Sequence, residues 1–540
     1  MNKTFLYIGL GIAVIIIGAV FLSQDKPPYT MSGEYSSADT AGLVVSKQTE
    51  TIELKNGDSY DLTAGYVKKN INGAEYRMLA YNGSIPGPLI KVAQGAEVVI
   101  NFKNNTDMDT LLHSHGVRMD NAFDGSQTTQ EEIKPGELFS YKLKFPDAGM
   151  YWYHPHVRED YQQELGLYGN FLVVPASTDY WPPVNREVPL FLDDILIENG
   201  QIRLSKNEAD HTLMGRFGNV MLVNGEVNYS LLAQKGEVIR FYITNAANAR
   251  PFNFAIAGTK LKLVGADGGA HEKDQWKDSV IISPSERVIV EALFDNPPAG
   301  GDTFAIQNKT PNQTYTLGSI NISGEPVAVS YAKEFAELKT HSAITQSIDP
   351  FRSYFDKALD KQIKLTMTMS GAPMQMQQSM GGGHMMPNGQ MMGGSMMGGS
   401  PDGIEWDDEN KMQGSMSNTD NVQWKIIDQA TGKENSDINW NFKKDQPVKI
   451  RIFNDPNSMH PMQHPIHFHG QQFLVLDRNG VSQTNLPTGQ AGLVWKDTVL
   501  VPAGQYVDIL LDASNPGDWM AHCHIAEHLE AGMMMKFNVQ

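Results

Sequence analysis

Ten of the chain's 15 histidines fall into four short clusters: His113-Ser114-His115, His154-Pro155-His156, His464-Pro465-Ile466-His467-Phe468-His469, and His522-Cys523-His524 with His528 close behind. Imidazole is a ligand for zinc, copper, iron and nickel, and packing alone does not explain repeated His-x-His pairs. The choice among these metals turns on the single cysteine. Cys523 is followed by His528 and then Met533, and His464 is available from another segment. Two imidazoles, a thiolate and a weak thioether are the donor set of a blue-copper electron-transfer centre, whereas zinc has no need of the soft thioether. On a strand, Cys523 points to one face while His522 and His524 point to the other. The thiolate can then hold one metal while its neighbours hold a second centre, leaving a short covalent path for electrons.

The elements that must position these donors are strands. After residue 48 the chain shows period-two alternation punctuated by Gly, Pro and Asn. Three segments share a template, Val98-x-Ile100-x-Phe102, Val238-x-Arg240-x-Tyr242 and Val448-x-Ile450-x-Ile452, each after a polar turn. A second shared stretch follows in each: PGELFSYKLKFPDAGMYWYHPH, PSERVIVEALFDNPPAGGDTFAIQN and PAGQYVDILLDASNPGDWMAHCH. The expectation is an all-β chain of three related β-sandwich or Greek-key units, at 49–176, 177–335 and 336–540. The repeats also provide an internal control. The middle unit carries Asn253 and Ala255 where the first has His113 and His115, and Ile306-Gln307-Asn308 in place of His154-Pro155-His156. The scaffold therefore exists with and without the histidines, which serve metal binding rather than folding. Units one and three supply all the pairs, so a multinuclear site is expected in the cleft between them.

Composition narrows the remaining possibilities. With 540 residues, 41% of them hydrophobic, large cores can be buried. A net charge of −18 without a basic tract excludes nucleic acid as a natural partner. One Cys excludes a disulfide framework, a Cys-rich zinc module and an all-Cys iron–sulfur cluster. Residues 1–23 contain an uncharged apolar run, Phe5 to Leu22, preceded by Lys3. As a helix it would span about 27 Å, so it is read as an uncleaved membrane anchor or a cleaved signal peptide. Residues 24–48 then form a tether, and the body is exported to the periplasm or the extracytoplasmic face. Of the 27 Met, 13 lie between Met367 and Met416 among Gly, Ser and Gln, an insertion at 367–416 too poor in core residues to pack regularly.

The motifs HSHG (113–116), HPH (154–156), HPIHFHG (464–470) and HCHIAEHLEAGM (522–533), with YNGSIPGPLI (81–90), resemble those of three-domain multicopper oxidases over nearly everything after residue 48. The resemblance implies three cupredoxin-like domains and four copper ions. A type 1 copper would take His464, Cys523 and His528 with Met533 axial, and a type 2 copper His113 and His467. A type 3 pair would take His115, His154, His156, His469, His522 and His524. An exposed type 1 copper would accept single electrons, and dioxygen would be reduced to water at the other three. Asp124 matches the place where such enzymes carry an acid near the cluster; the alternative for it is a turn residue before Gly125. Some relatives have an acid directly after the type 1 histidine, where this chain has Leu529, leaving Glu527 and Glu530 as candidates.

The Met-rich insertion resembles that of copper-efflux oxidases, and thioethers select Cu(I). Met462 matches a substrate ligand of those enzymes, and Met369 matches a Met at the start of their Met-rich segment. His460 stands where they have an Asp, Met459 adjoins it, and the acid expected soon after Met369 is missing. The expected activity is cuprous oxidation in copper tolerance, with phenols as further donors. The alternatives are a laccase-like phenol oxidase whose loop is a passive lid, and a copper-binding or electron-transfer protein that never turns over oxygen.

Overall fold

The structure, a computed structural model, describes residues 37–204, 208–298, 301–370, 401–407, 416–484 and 492–540, with the backbone of two short strands at His384–Met385 and Met391–Met392. The apolar run within 1–23, the first part of the 24–48 tether and most of the Met-rich insertion lie outside the described residues. Among the described residues no helix is long and apolar enough to cross a membrane.

Three cupredoxin-like β-sandwiches follow one another, each a pair of sheets closed on its own apolar core. The shared template is the middle of one sheet in every unit. Glu97–Asn104, Glu237–Asn245 and Val448–Asn454 each run parallel to an earlier strand, Ser59–Ile71, Arg186–Ile195 or Lys361–Met369. Each runs antiparallel to a later one, Leu138–Lys144, Arg287–Phe294 or Tyr506–Asp512. In the first and third units the buried residues alternate along this strand, as one face on a core requires. In the middle unit the strand is buried on both faces. Tyr242, Val264 and Ile289 on its outer side pack against Leu89, Met150 and Leu172 of the first unit. Arg240 is accommodated there by an ion pair to Glu291.

The second sheet of each unit carries the His motifs or their replacements. His113–His115 pairs with Gly149–His154, setting His113 opposite His154. His464–Phe468 pairs with Gly517–Cys523, setting Ile466 opposite Cys523 and His467 opposite His522. In the middle unit Phe252–Ile256 pairs with Thr303–Lys309, with Phe254 opposite Asn308 and Ile256 opposite Ile306. Asn253 therefore faces the Lys309 end of that strand, not Ile306 as counting along the repeats suggests. The register along Phe252–Ile256 is regular, with Ala255 opposite Gln307. The Asn253 side-chain amide donates to the Lys309 carbonyl at 2.9 Å, a local bond in place of a ligand.

Candidate metal centres

Strand parity separates two groups of donors in the third unit. Cys523 faces inward with Ile466, and His464, two residues before Ile466, shares that side. The short helix Ala526–Glu530 adds His528. Cys523 Sγ lies 3.5 Å from His464 Nδ1 and 3.6 Å from His528 Nδ1, and the two Nδ1 atoms are 3.2 Å apart. Met533 is fully buried in the same core, and its carbonyl accepts the Cys523 N–H at 3.1 Å. Trp424 lies 4.2 Å from the His528 ring and 4.8 Å from that of His464, and its indole N–H donates to the Thr212 carbonyl. Burial pushes His464 down to about 3 and His528 well below its usual value, keeping both imidazoles neutral, and pushes the Cys523 thiol up. A buried thiol held neutral among imidazole lone pairs is a site where a cation takes the place of the proton. The exposed edge expected of this group is not found: His464 is 1% exposed and Cys523, His528 and Met533 are 0% exposed.

On the other face, and across the boundary with the first unit, eight histidines converge. Ring centroids of His115, His154 and His524 are 5.6, 5.1 and 5.0 Å apart, and those of His156, His469 and His522 are each 5.1 Å apart. The remaining two, His113 and His467, are 5.8 Å apart. Both trios draw on both units. One nitrogen of most rings is tied down on the outside. The Nδ1–H groups of His113, His154, His522 and His467 donate to the carbonyls of Asp124, Pro155, Cys523 and Asp497 at 2.7, 2.7, 2.9 and 2.9 Å. His469 Nδ1 reaches the Asp124 carboxylate at 2.9 Å, and His115 Nε2 reaches Asp497 Oδ1 at 3.0 Å. The opposite nitrogens of His113, His115, His154 and His467, and Nε2 of His156 and His524, make no hydrogen bond. His469 Nε2 and His522 Nε2 point at each other across 3.0 Å. Buried polar atoms normally find partners, and outer-side hydrogen bonds are what orient metal-binding imidazoles. A ring of inward lone pairs, all on imidazoles that burial holds neutral, fits copper ions bound among them.

Asp124 thus stands against two of these histidines, with its carbonyl on His113 and its carboxylate on His469. Glu527 faces Arg216 at 3.5 Å instead, and burial raises it to about 8. Sequence reasoning missed Glu159, three residues after His156 at the start of the turn Glu159–Gln162. Its Oε1 lies 3.5 Å from His156 Nε2, and neither carboxylate oxygen makes a hydrogen bond. It also missed Asp497 and Arg287. The fully buried Arg287 guanidinium, from the middle unit, donates to both Asp497 oxygens at 2.8 and 2.5 Å and to the Met150 carbonyl of the first unit at 2.9 Å. The middle unit, which lacks the His pairs, therefore ties together the two that carry them. Gly116 allows the contact, because a Cβ there would lie 2.2 Å from Asp497 Oδ2. Nothing in the spacing marks Asp497 or Arg287, although His-Pro-His followed by Glu three residues on is a signal that could have found Glu159.

Met462 is fully buried in the core that contains Cys523 and Met533, with Met459 and Met369 half-buried against it. His460 is buried too, with Nε2 3.4 Å from Glu405 Oε1.

The fold and the two groups of donors define a three-domain protein of the multicopper class. Family models described as multicopper oxidase match residues 63–178, 184–325 and 404–540, and the chain belongs to the multicopper oxidase family, whose members are oxidoreductases that bind four coppers. It is 25% identical to a multicopper oxidase of Staphylococcus aureus over 85% of this chain and 83% of that protein. It is 23% identical to a copper resistance protein A homologue of Pseudomonas syringae pv. tomato over 90% and 93%. Among solved structures, a Campylobacter jejuni multicopper oxidase described as a metallo-oxidase is similar in fold, with a TM-score of 0.63 at 23% identity covering 94% of this chain and 99% of that one. A laccase-like multicopper oxidase from Ochrobactrum sp. superposes with a TM-score of 0.66 at 20% identity over 92% and 100%.

Proposed function

We propose that the chain oxidises cuprous ions with dioxygen as acceptor, with phenols as further donors. His464, Cys523, His528 and axial Met533 are assigned to a type 1 copper, and His113 and His467 to a type 2 copper. The trios His115, His154, His524 and His156, His469, His522 are assigned to the type 3 pair. Bound in these donors, copper supplies one-electron transfer from the reducing substrate and the four-electron reduction of dioxygen to water. The chain's own residues do the rest. His522, Cys523 and His524 are consecutive, and the His522 Nδ1–H bond to the Cys523 carbonyl at 2.9 Å adds a second link between the two groups of donors. Asp124 and Asp497 orient rings of the larger cluster, and burial excludes bulk water from all eight of its imidazoles. The unit boundaries 49–176, 177–335 and 336–540 and an exported body, anchored or released by residues 1–23, belong to the same proposal.

The observation that carries the cuprous reading is Met462, two residues before His464 and wholly buried in the core that also contains Cys523 and Met533, with Met459 and Met369 packed against that core. Soft thioethers at that place suit Cu(I) far better than a phenol. The similarity to a copper resistance protein supports the same reading. The test is a paired kinetic assay of Cu(I) and a small phenol, with oxygen uptake recorded, on the full chain and on a deletion of 371–400. That deletion keeps the 401–407 segment, whose Ile404 and Trp406 pack on Leu500. The expected result is a loss of kcat/KM for Cu(I) of about tenfold or more with phenol turnover nearly unchanged. Equal survival of both activities refutes a Cu(I)-specific role for the insertion, and blue absorption without oxygen uptake refutes the oxidase.

A further inference from the structure

Loops between strands ordinarily run over the surface, yet every residue from 211 to 218 in the middle unit is buried. Leu213, Met214 and Phe217 pack in the third unit's core, the one that contains Cys523 and Met533, rather than in that of their own unit. The backbone of this segment lies against the Cys523 group at successive points. The Thr212 carbonyl accepts from the Trp424 indole at 2.5 Å, and the Trp424 ring lies 4.2 Å from that of His528. The Leu213 carbonyl lies near the His528 imidazole. Gly215, at a φ of +73°, lets the chain come closer than a side chain would permit: a Cβ there would sit 2.7 Å from Ile525 Cγ2. Nε2 of His464 and Nε2 of His528, on the ring edges turned away from Cys523, are buried and make no hydrogen bond. Those edges would meet water if the group were open. The far end of the segment is fixed by Gly218, whose N–H donates to Asp194 Oδ2 at 2.7 Å and whose carbonyl accepts from Arg250 at 2.8 Å. The near end hangs on three consecutive residues of the third unit. Ser417 Oγ accepts the Leu213 N–H at 2.9 Å, and Asn418 and Thr419 donate to the Glu208 carboxylate at 3.0 and 3.3 Å.

We propose that 208–218 of the middle unit is the cover of the His464, Cys523 and His528 group, and that it sets the choice of electron donor by shutting bulky phenols out. Leu213 and Met214 anchor the cover in the third unit's core and Ser417 fastens it, so all three are positioning residues for donor selection. The inference rests on the type 1 assignment above and adds which donors that site refuses. An organic donor gives up its electron when its ring comes against a ligand edge, and the backbone of 212–215 occupies that approach to His528. Moving it aside breaks the bond from Leu213 to Ser417 and draws apolar side chains out of a core, at a cost that grows with the width of the opening. A large substituted aromatic needs the widest opening, a single small ring a narrower one, and a cuprous ion the least. The cover and its fastening at 417–419 both lie outside 371–400, which is why that deletion is expected to leave phenol turnover nearly unchanged.

The experiment has one readout without copper and one with it. Cys523 is the chain's single thiol, so its rate of alkylation by iodoacetamide in the copper-free protein reads the cover directly. In the copper-loaded enzyme, kcat/KM is measured for catechol, for the bulky phenol syringaldazine and for Cu(I), together with the blue absorption. Leu213→Ala combined with Met214→Ala is expected to speed alkylation about tenfold or more and to raise the syringaldazine-to-catechol ratio of kcat/KM by a similar factor, with the blue absorption unchanged. Ser417→Ala, which removes one buried hydrogen bond, is expected to shift both readouts in the same direction by up to about tenfold. Leu213→Ile with Met214→Leu keeps the anchors apolar and large, and should restore wild-type values of both. A wild type whose Cys523 is alkylated as fast as in the denatured chain overturns the proposal, as does faster alkylation in the variants with no change in the donor ratio. If the double variant fails to fold, Ser417→Ala decides alone, and wild-type values for it in both readouts overturn the proposal. A raised ratio in the variants, alongside a wild type that does not oxidise Cu(I), upholds the cover while refuting the cuprous reading, so the two stand or fall separately.

Discussion

Replacing Arg287 by Ala removes the middle unit's hold on the His cluster. Arg287 and Asp497 are both buried, and the carboxylate that would lose its partner also receives His115 Nε2 at 3.0 Å. Breaking a buried ion pair by deleting one partner costs about 3–5 kcal/mol, because a charge is left unpaired in the interior. At roughly 2–4 °C per kcal/mol for units of this size, the apoprotein midpoint is expected to fall by about 6 to 20 °C. The copper readout is more specific. Asp497 orients His115 and His467 but touches none of His464, Cys523 and His528, so the variant is expected to keep its blue absorption while losing type 2 copper signal. Arg287→Lys keeps the charge without the two-pronged contact and should recover part of both losses. The measurements are thermal unfolding of the apoprotein, copper stoichiometry, visible absorption and electron spin resonance. An Arg287→Ala protein that melts within about 1 °C of wild type and retains full type 2 signal would refute the reasoning. Smaller destabilisation of Arg287→Ala with Asp497→Ala together than the two single effects summed would confirm the coupling.

Cys523→Ser should abolish the blue absorption and the oxidation of every donor while the eight-histidine cluster still loads copper; a blue Cys523→Ser protein would contradict the type 1 assignment. Gly116→Ala forces a methyl to within 2.2 Å of Asp497 Oδ2 at a φ of +81°, and should displace the carboxylate from His115, lowering cluster copper without affecting the Cys523 group. Asp193 offers a pH test away from the metal donors. Burial raises its carboxyl from 3.8 to about 8, and it accepts from the Tyr168 hydroxyl at 2.7 Å. A folded-state value above the unfolded one stabilises below the unfolded value and is lost as pH rises through the folded one. Asp193→Asn should therefore gain on wild type by up to about 4 kcal/mol between pH 5 and 8, read from denaturant midpoints at the two pH values. A gap that stays flat from pH 5 to 8 would show that Asp193 is already ionised in the fold.

The order of residues along the chain was sufficient for the class of fold and for which histidines the fold gathers together. Period-two patterning repeats three times because each unit must bury one face of every sheet. The His-x-His pairs are local, so their spacing already sets which side chains share a face. Cys523 and its two histidine neighbours point to opposite faces of the strand for that same reason, with Ile466 opposite Cys523 and His467 opposite His522. Strand offset was less legible: Asn308, not Ile306, stands opposite Phe254, so the middle unit's replacements do not meet where counting along the repeats put them. The depth of the Cys523 group was not legible either, since burial depends on what packs over it, and Trp424 reaches His528 from a strand across the same unit.

What only the tertiary structure decided are the residues that touch a donor from far along the chain. Asp497 meets His115 across 382 positions, and Arg287 meets Asp497 across 210. Glu405 reaches His460 from beyond the insertion. Such residues carry no periodic or motif signal, because nothing in their own neighbourhood depends on the partner. They become identifiable once the three units are packed, when a buried charge must find its counterpart.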